Sequence, residues 1–184
     1  MNVFFDIGTN YFQGYEEIAK TLNIDDTWVK VFIEPNPNFL KDKNWLNKLS
    51  NIKNSSFLSA AMCCGCKQDQ SELMFVDGFN DLDQGASIFN EDWKNKGIVK
   101  KSIIVDLVSF DDVCKKHLND EWYIKFDCEN CEYYCLKEVM NKYHKNIKYI
   151  ACEFHYPSPK GFEAYKQDII KLAESHGIQF VVWK

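Results

Sequence analysis

The sequence predicts an α/β fold: a mostly parallel, twisted sheet with helices on both faces, built as one domain over residues 1–184. Three observations support this prediction. Apolar runs rich in Val, Ile and Phe alternate along the chain with amphipathic stretches, as in strand–helix–strand units. The 184 residues match the usual length of one domain and suffice to bury a three-layer core. The composition, 46% apolar and 27% charged, is that of a globular protein.

The strands are predicted from short apolar runs, and the helices from apolar residues that recur every three to four positions. In order, strands are expected at 2–6, 28–34, 56–62, 72–76, 102–108, 122–127, 148–154 and 179–183. Helices are expected at 13–22, 38–49, 110–117, 132–143 and 161–176, the last followed by Gly177 as a C-terminal stop. The less regular stretch 66–101 predicts a hairpin and a loop over one edge of the sheet.

Charge and hydropathy argue against two classes of partner, nucleic acids and membranes. The formal net charge is −5, and all 22 basic residues are lysine. Proteins recognise bases and phosphates mainly through the planar guanidinium group of arginine, which donates two parallel hydrogen bonds. We therefore predict no nucleic-acid partner. No apolar run approaches the roughly 20 residues of a membrane span, and the chain enters its first strand at once, without a signal peptide. We therefore expect a cytoplasmic protein with no membrane partner.

Eight cysteines are expected to be reduced in the cytoplasm and to serve mainly as core residues. The alternative is a zinc site that joins the cluster Cys63, Cys64 and Cys66 to the C-x-x-C pair Cys128 and Cys131. A structural zinc site usually takes two pairs of ligands, each on a turn. The cysteines do not show this arrangement, so no metal is predicted. A redox role for the C-x-x-C pair is a further alternative, although no Trp-Cys-Gly-Pro-like context surrounds it.

A ligand loop is predicted directly after the first strand, at Asp6, Gly8 and Asn10. Ligands of open parallel sheets bind beyond the carboxyl ends of the strands, where the strand order reverses. Gly8 permits a tight turn and close approach of the backbone to a ligand. A carboxylate at Asp6 would repel a pyrophosphate. It suits a ligand that carries an ammonium group and a sulfonium charge, met directly or through water.

Glu34 ends the second predicted strand and precedes Pro35. An acid at this station accepts hydrogen bonds from both ribose hydroxyls in dinucleotide-binding and S-adenosylmethionine-binding folds. Glu34 therefore predicts an adenosine ligand without choosing between the two. A nicotinamide-dependent oxidoreductase would carry a G-x-G-x-x-G fingerprint, which the first loop lacks.

The chain resembles the FkbM-type S-adenosylmethionine-dependent methyltransferases along nearly its whole length. The matching segments are V-F-F-D-I-G-T-N at 3–10, V-F-I-E-P-N-P at 31–37, Y-I-K-F-D-C-E-N-C-E at 123–132 and Y-I-A-C-E-F-H at 149–155. The resemblance implies a single Rossmann-like domain that binds S-adenosylmethionine and methylates a hydroxyl of a sugar or other small metabolite. It also implies that Ala60 or Ala61 lies near the adenine, and Ser87 near the amino-acid end of the cofactor.

Two positions depart from the family pattern. Asn130 replaces the glycine of an I-K-I-D-x-E-G-x-E run, and Phe12 stands where members often carry a further glycine, which Gly14 is a candidate to replace. Asparagine tolerates a left-handed backbone, so the turn at Asn130 can survive. These departures keep open the alternative of a non-catalytic domain that binds the cofactor.

The predicted catalytic residues are Asp127, Glu129, Glu153 and His155, at the carboxyl ends of two late strands. Methyl transfer needs donor and acceptor in line, and a base when the acceptor is a hydroxyl. Asp127 and His155 are the favoured bases, and Asp127 also belongs to the predicted cofactor site. The alternatives are a helix N-cap at Asp127, ordinary first-turn acids at Glu129 and Glu132, a surface role for His155, and a Mg²⁺ site in the cluster.

The acceptor is not encoded in a recognisable motif. Its pocket is expected from the 78–98 loop, the 156–161 loop or a partner subunit, since no extra N-terminal helices precede the first strand. A homo-oligomer is therefore one possibility. A small-molecule or carbohydrate acceptor follows from the family resemblance alone, and a zinc-binding interaction module is the remaining rival.

Overall fold

The computed structural model describes residues 1–76, 85–89, 91–156 and 158–183. Within these residues, the strands are β1 (Asn2–Ile7), β2 (Val29–Ile33), β3 (Ser55–Leu58), β4 (Ala61–Met62), β5 (Gln70–Val76), β6 (Val99–Val108), β7 (Glu121–Phe126), β8 (Ile147–Cys152) and β9 (Gln179–Val182). The helices are α1 (Gln13–Leu22), α2 (Lys43–Asn51), α3 (Glu91–Asn95), α4 (Phe110–Cys114), α5 (Cys131–Tyr143) and α6 (Tyr165–Ser175).

The main sheet has six parallel strands in the order β3-β2-β1-β7-β8-β9. The chain builds outward from β1 in one direction through β2 and β3, and in the other through β7, β8 and β9. The strand order therefore reverses between β1 and β7, which is where open α/β sheets bind ligands. The predicted fold class, a Rossmann-like α/β domain, is confirmed.

Helices cover both faces of this sheet, as the alternation of side chains along β1 shows. Phe5 packs against Phe110 of α4, with ring centroids 5.4 Å apart. The preceding residue, Phe4, points to the opposite face and packs against Tyr15 of α1 at 5.9 Å. Both phenylalanines are fully buried. Successive residues of a strand that are buried on both sides require a covering layer on each face.

A second, smaller sheet has the order β4-β6-β5, with β5 and β6 antiparallel. The hairpin predicted within 66–101 is confirmed in part, because β5 lies in this stretch but most of β6 follows it. Helix α3, which was not predicted, lies between these two strands. The prediction of one strand over 56–62 is wrong, because the chain leaves the main sheet after Leu58 and enters the second sheet at Ala61. A continuous apolar run does not reveal such a change of sheet. Residues 78–84 and 90 of the predicted 78–98 loop lie outside the described residues.

The helix predicted at 38–49 is also divided, into a 3-10 turn at Phe39–Lys41 and α2. Asp42 separates them, because its backbone is extended and its Oδ1 accepts hydrogen bonds from the backbone N–H groups of Asn44 (2.7 Å) and Trp45 (3.2 Å). This is a helix N-cap. Helix α1 has the predicted bounds, and Gly177 follows α6 with a φ of 69°, as a C-terminal stop requires.

The cysteines are mostly buried, as predicted, but Cys63 and Cys66 form a disulfide. The expectation that every cysteine is reduced is therefore wrong for this pair. Both lie just after β4, where three residues bring the two Cα atoms to 5.8 Å, within the range that a disulfide spans. Among the described helices, none combines the length and apolar character that a membrane crossing requires.

Candidate cofactor and active site

A cleft opens at the point where the strand order reverses. Of the predicted cofactor residues, Gly8, Asn10, Glu34, Pro35, Ala61 and Asp127 line it. Ala60 lines it as well, and so does the predicted catalytic residue Glu129. Residues predicted from four separate stretches of the chain thus meet at one cavity.

Gly8 brings the ends of β1 and β7 into direct backbone contact. A Cβ added at this position would lie 1.7 Å from the carbonyl oxygen of Asp127, and φ is 78°. The Gly8 N–H donates to the carbonyl of Ile33 at the end of β2 (2.9 Å). Only glycine combines this backbone conformation with this approach, so the loop after β1 is fixed against both neighbouring strands.

Glu34 lies on the cleft wall with its carboxylate held by two backbone N–H groups. Its Oε2 accepts from Asn10 (3.0 Å) and its Oε1 accepts from Asn36 (2.9 Å). Burial raises the pKa of Glu34 to about 7, against the opposing effect of these two hydrogen bonds. Each carboxylate oxygen keeps further lone pairs for a ligand. The first loop and the end of β2 are therefore joined through the side chain predicted to bind ribose.

Asp6 and Ser87 lie behind the cleft wall and not on it. Asp6 is fully buried, and its Oδ1 accepts from Nζ of Lys125 at 3.0 Å. Ser87 is buried too, and its hydroxyl donates to the carbonyl of Glu129 (2.6 Å) while accepting from the N–H of Phe89 (3.1 Å). Their predicted cofactor roles remain predictions.

His155 lies among three carboxylates. Its Nδ1 is 3.0 Å from Oε1 of Glu132, and its Nε2 is 3.4 Å from Oε1 of Glu129 and 3.6 Å from Oδ1 of Asp127. Glu132, the second residue of α5, is fully buried and also accepts the backbone N–H of His155 (2.9 Å). The predicted association of Asp127, Glu129 and His155 is therefore present, and Glu132 joins it.

These carboxylates change the chemistry of the imidazole. Burial alone would lower the pKa of His155, but Glu132, Glu129 and Asp127 outweigh it and raise the pKa to about 9. A pKa of about 9 favours the imidazolium at neutral pH, and the general-base role predicted for His155 stays a prediction. Burial raises the pKa of Glu129 to about 7, and His155 opposes that shift. A pKa near 7 suits a base that acts at neutral pH.

One group of metal-ligand type occurs among the described residues. Single ligand atoms of Asp127, Glu153 and His155 lie within 4.8 Å of one another. A protonated His155 supplies positive charge to this cluster without an ion, and the Mg²⁺ alternative stays a hypothesis. Among the residues that the structure describes, the cysteines form no group with metal-ligand spacing. The zinc hypothesis therefore gains no support from the structure.

Comparison with known proteins identifies the family. A family model described as the methyltransferase FkbM domain matches residues 6–180. The chain belongs to the FkbM methyltransferase family. The matched stretch runs from the predicted cofactor loop to the last strand and contains every predicted site residue. Comparisons with curated proteins and with solved structures found no significant match.

The two residues that depart from the FkbM pattern both have a left-handed backbone. Asn130 has a φ of 81° and Phe12 a φ of 66°. Phe12 is fully buried and packs against Phe32 and Trp45, with ring centroids 5.1 Å and 4.9 Å away. The expectation that asparagine preserves the turn is confirmed. For phenylalanine, aromatic packing offsets the cost of a left-handed backbone in this FkbM domain.

Sequence reasoning did not assign a role to Lys125, although this residue belongs to the matching I-K-F-D segment. Lys125 is buried at the end of β7, between Asp6 and Asp127. A lysine inside an otherwise apolar strand, with an acid at the end of the neighbouring strand, was the available signal. Its meaning depended on the pairing of β1 with β7, which juxtaposes Asp6 and Lys125.

Proposed function

We propose that this methyltransferase uses S-adenosylmethionine to methylate a hydroxyl of a sugar or related small metabolite. The observation that carries the proposal is that Glu34 and Glu129 line the same cleft at the reversal of strand order. Glu34 is a ribose acceptor, and Glu129 is a base of suitable pKa. The sugar class of the acceptor rests on the family resemblance.

The residues of the cleft fit an adenosyl cofactor. Glu34 offers carboxylate oxygens for the two ribose hydroxyls. Gly8 leaves the backbone accessible at the turn, and Ala61 provides a small apolar wall. Oδ1 of Asn10 is buried without a hydrogen-bond partner among the described residues, so it is an acceptor available to a ligand. Bound S-adenosylmethionine would supply an electrophilic methyl group on a sulfonium.

The residues of the chain provide the acid–base chemistry. A carboxylate at Glu129 accepts the proton that the acceptor hydroxyl loses as the new O–C bond forms. His155, 3.4 Å from Oε1 of Glu129, opposes the rise in the pKa of that carboxyl and so keeps part of it ionised at neutral pH. Asp127 and Glu132 hold the His155 cation in place from two sides. The remaining requirement is the alignment of donor and acceptor.

The test is a calorimetric titration of the full chain with S-adenosylhomocysteine, S-adenosylmethionine and NAD. We expect both adenosyl ligands to bind and NAD to leave no signal. A folded protein that binds neither adenosyl ligand would refute the proposal, and binding of NAD alone would support an oxidoreductase. A protein that binds S-adenosylmethionine but methylates no hydroxyl compound in a broad metabolite panel, read by mass spectrometry, would be a non-catalytic binding domain.

The acceptor pocket, assembly and location of the protein remain proposals. We place the acceptor against Glu129, beside the 85–89 segment whose Ser87 is bonded to the Glu129 carbonyl. A second subunit that completes the pocket, a cytoplasmic location and the lack of a nucleic-acid or membrane partner are proposed on the sequence arguments above. Size-exclusion chromatography with light scattering tests the assembly directly.

A further inference from the structure

Lys125 occupies a niche that three parts of the fold create for it. Its side chain is 1% exposed, and its Nζ lies 5.4 Å from the centre of the Trp183 ring. A Cβ on Gly14 of α1 would lie 2.1 Å from Cε of Lys125 and 2.7 Å from Cδ. Glycine inside a helix is unfavourable compared with alanine. Helix α1 therefore carries a residue that weakens it, at the place where the lysine passes.

The ammonium group of Lys125 makes three polar contacts, and two of them are with residues that line the cleft. Nζ donates to Oδ1 of Asp6 (3.0 Å) and to the carbonyl of Gly8 (2.7 Å), and it lies 3.2 Å from Oδ2 of Asp127. Gly8 and Asp127 both line the cleft, but Lys125 itself does not. The lysine thus contacts the cofactor loop and a carboxylate of the active site from behind.

The contact with Asp127 is part of a row of alternating charges. Oδ2 of Asp127 faces Lys125, and its Oδ1 faces Nε2 of His155 at 3.6 Å. One carboxylate is therefore held between two cations. A lysine that served only to neutralise the buried Asp6 would need neither the bond to Gly8 nor the contact with Asp127.

We propose that Lys125 is a positioning residue: through Gly8 and Asp127 it fixes the cofactor loop and the active-site carboxylate in the conformation that binds the adenosyl cofactor. The inference rests on the proposed function, because it takes that cofactor as the occupant of the cleft. Asp6 keeps the lysine charged and in place. Lys125 contributes to cofactor affinity without touching the cofactor.

The experiment separates positioning from charge balance by calorimetric titration with S-adenosylhomocysteine and by thermal unfolding. Lys125→Met leaves Asp6 buried and unpaired, so we expect both Tm and affinity to fall. The double variant Asp6→Asn/Lys125→Met removes both charges. We expect it to recover most of the lost Tm while its Kd stays weaker than that of the wild type by about tenfold or more.

The matched control is Lys30→Met. Lys30 is another buried lysine, but it donates to the carbonyls of Asp25 and Lys53, away from the cleft. Its replacement should lower Tm and leave the Kd for S-adenosylhomocysteine unchanged. A second route is Gly14→Ala, which displaces the lysine side chain and keeps its charge. Here we expect a Tm that falls less than in Lys125→Met and a Kd weakened by about fivefold or more.

Wild-type affinity in the double variant would overturn the inference and leave Lys125 as the partner of Asp6 only. If the double variant does not fold, wild-type affinity in Gly14→Ala has the same consequence. Failure of the wild-type protein itself to bind S-adenosylhomocysteine would be a different result. It would refute the proposed function, and the positioning role would fall with it.

Discussion

Oε1 of Glu132 lies 3.0 Å from Nδ1 of His155 and accepts the backbone N–H of the same residue at 2.9 Å. One fully buried carboxylate thereby fixes both the position of the loop after β8 and the orientation of the imidazole. The other ring nitrogen is left facing Glu129 and Asp127. The charge state of His155 consequently depends in part on a residue that does not line the cleft.

The first prediction concerns that charge. Glu132→Gln removes the strongest interaction that raises the pKa of His155, which should fall from about 9 towards or below its ordinary value. The measurement is an NMR titration of the imidazole ring proton of His155. Glu138→Gln, an exposed acid on the same helix, is the control and should leave the pKa in place. An unchanged pKa in Glu132→Gln would show that Asp127 and Glu129 suffice.

Stability should depend on pH in a direction that follows from the same site. The folded pKa of His155, about 9, exceeds its ordinary value of 6.5. Its contribution to the free energy of unfolding is therefore complete below pH 6.5 and is lost as the pH rises through 9. The loss should be on the order of 3 kcal/mol. Glu129 acts in a lower window, because its pKa is raised from 4.5 to about 7.

Urea unfolding at a series of pH values checks this expectation. Between pH 7 and 9.5 the free energy of unfolding of the wild type should decline, and that of His155→Gln should decline less. Asp127, Glu129, Glu132 and Glu153 surround the imidazole or act on its neighbours, so the profile reports the whole cluster. Parallel declines in the two proteins would assign the effect to other groups.

Gly8→Ala should be far more destabilising than alanine at another glycine of left-handed backbone. Gly8 combines a φ of 78° with a Cβ position 1.7 Å from the Asp127 carbonyl. Gly177 has a φ of 69° and open space around it. We expect a loss of about 1 kcal/mol for Gly177→Ala and of at least about 3 kcal/mol for Gly8→Ala. Chemical denaturation measures the free energy of unfolding of both variants. Equal losses would mean that the loop after β1 can move away from the loop after β7.

Glu34→Gln should weaken binding of S-adenosylhomocysteine by about tenfold or more, because it removes a charged acceptor from the cleft wall. Calorimetry measures the affinity. Glu16→Gln is the control: this acid belongs to α1, is about half exposed, pairs with Lys48 and does not line the cleft. If both variants bind like the wild type, Glu34 does not hold the ribose.

Glu129→Gln should lower turnover by about 10²-fold or more, as expected for loss of a general base, and leave cofactor affinity unchanged. The wild-type rate should rise through about pH 7 with ionisation of Glu129. The assay uses an acceptor found in the metabolite panel, with the exposed Glu163→Gln as the control. A variant that keeps both its rate and its pH profile would exclude Glu129 as the base.

The sequence predicted correctly those cleft residues that come directly after a strand. Glu34 and Asp127 were predicted from their position after an apolar run, and both line the cleft. Strands β5 and β6 were predicted from their own apolar runs, at 72–76 and 102–108, for the same local reason. Such features depend on a few consecutive residues, and their physical origin is the alternation of side chains along a strand.

Other features depended on contacts between distant residues. Asp6 and Lys125 are 119 residues apart, and their pairing follows from the register of β1 against β7. The raised pKa of His155 required the burial of Glu132, which looked like an ordinary first-turn acid. The apolar character of residues 56–62 does not indicate that the chain changes sheet between β3 and β4. Pattern alone does not contain this information.

The close approach of Gly14 and Lys125 has an evolutionary consequence. Any side chain at position 14 would meet the carbon stem of the lysine, since even a Cβ would come within 2.1 Å of it. The two positions are thus not free to change independently. In a relative that carries a larger residue at position 14, we expect a shorter side chain at position 125, and with it a different partner for the acid that ends the first strand.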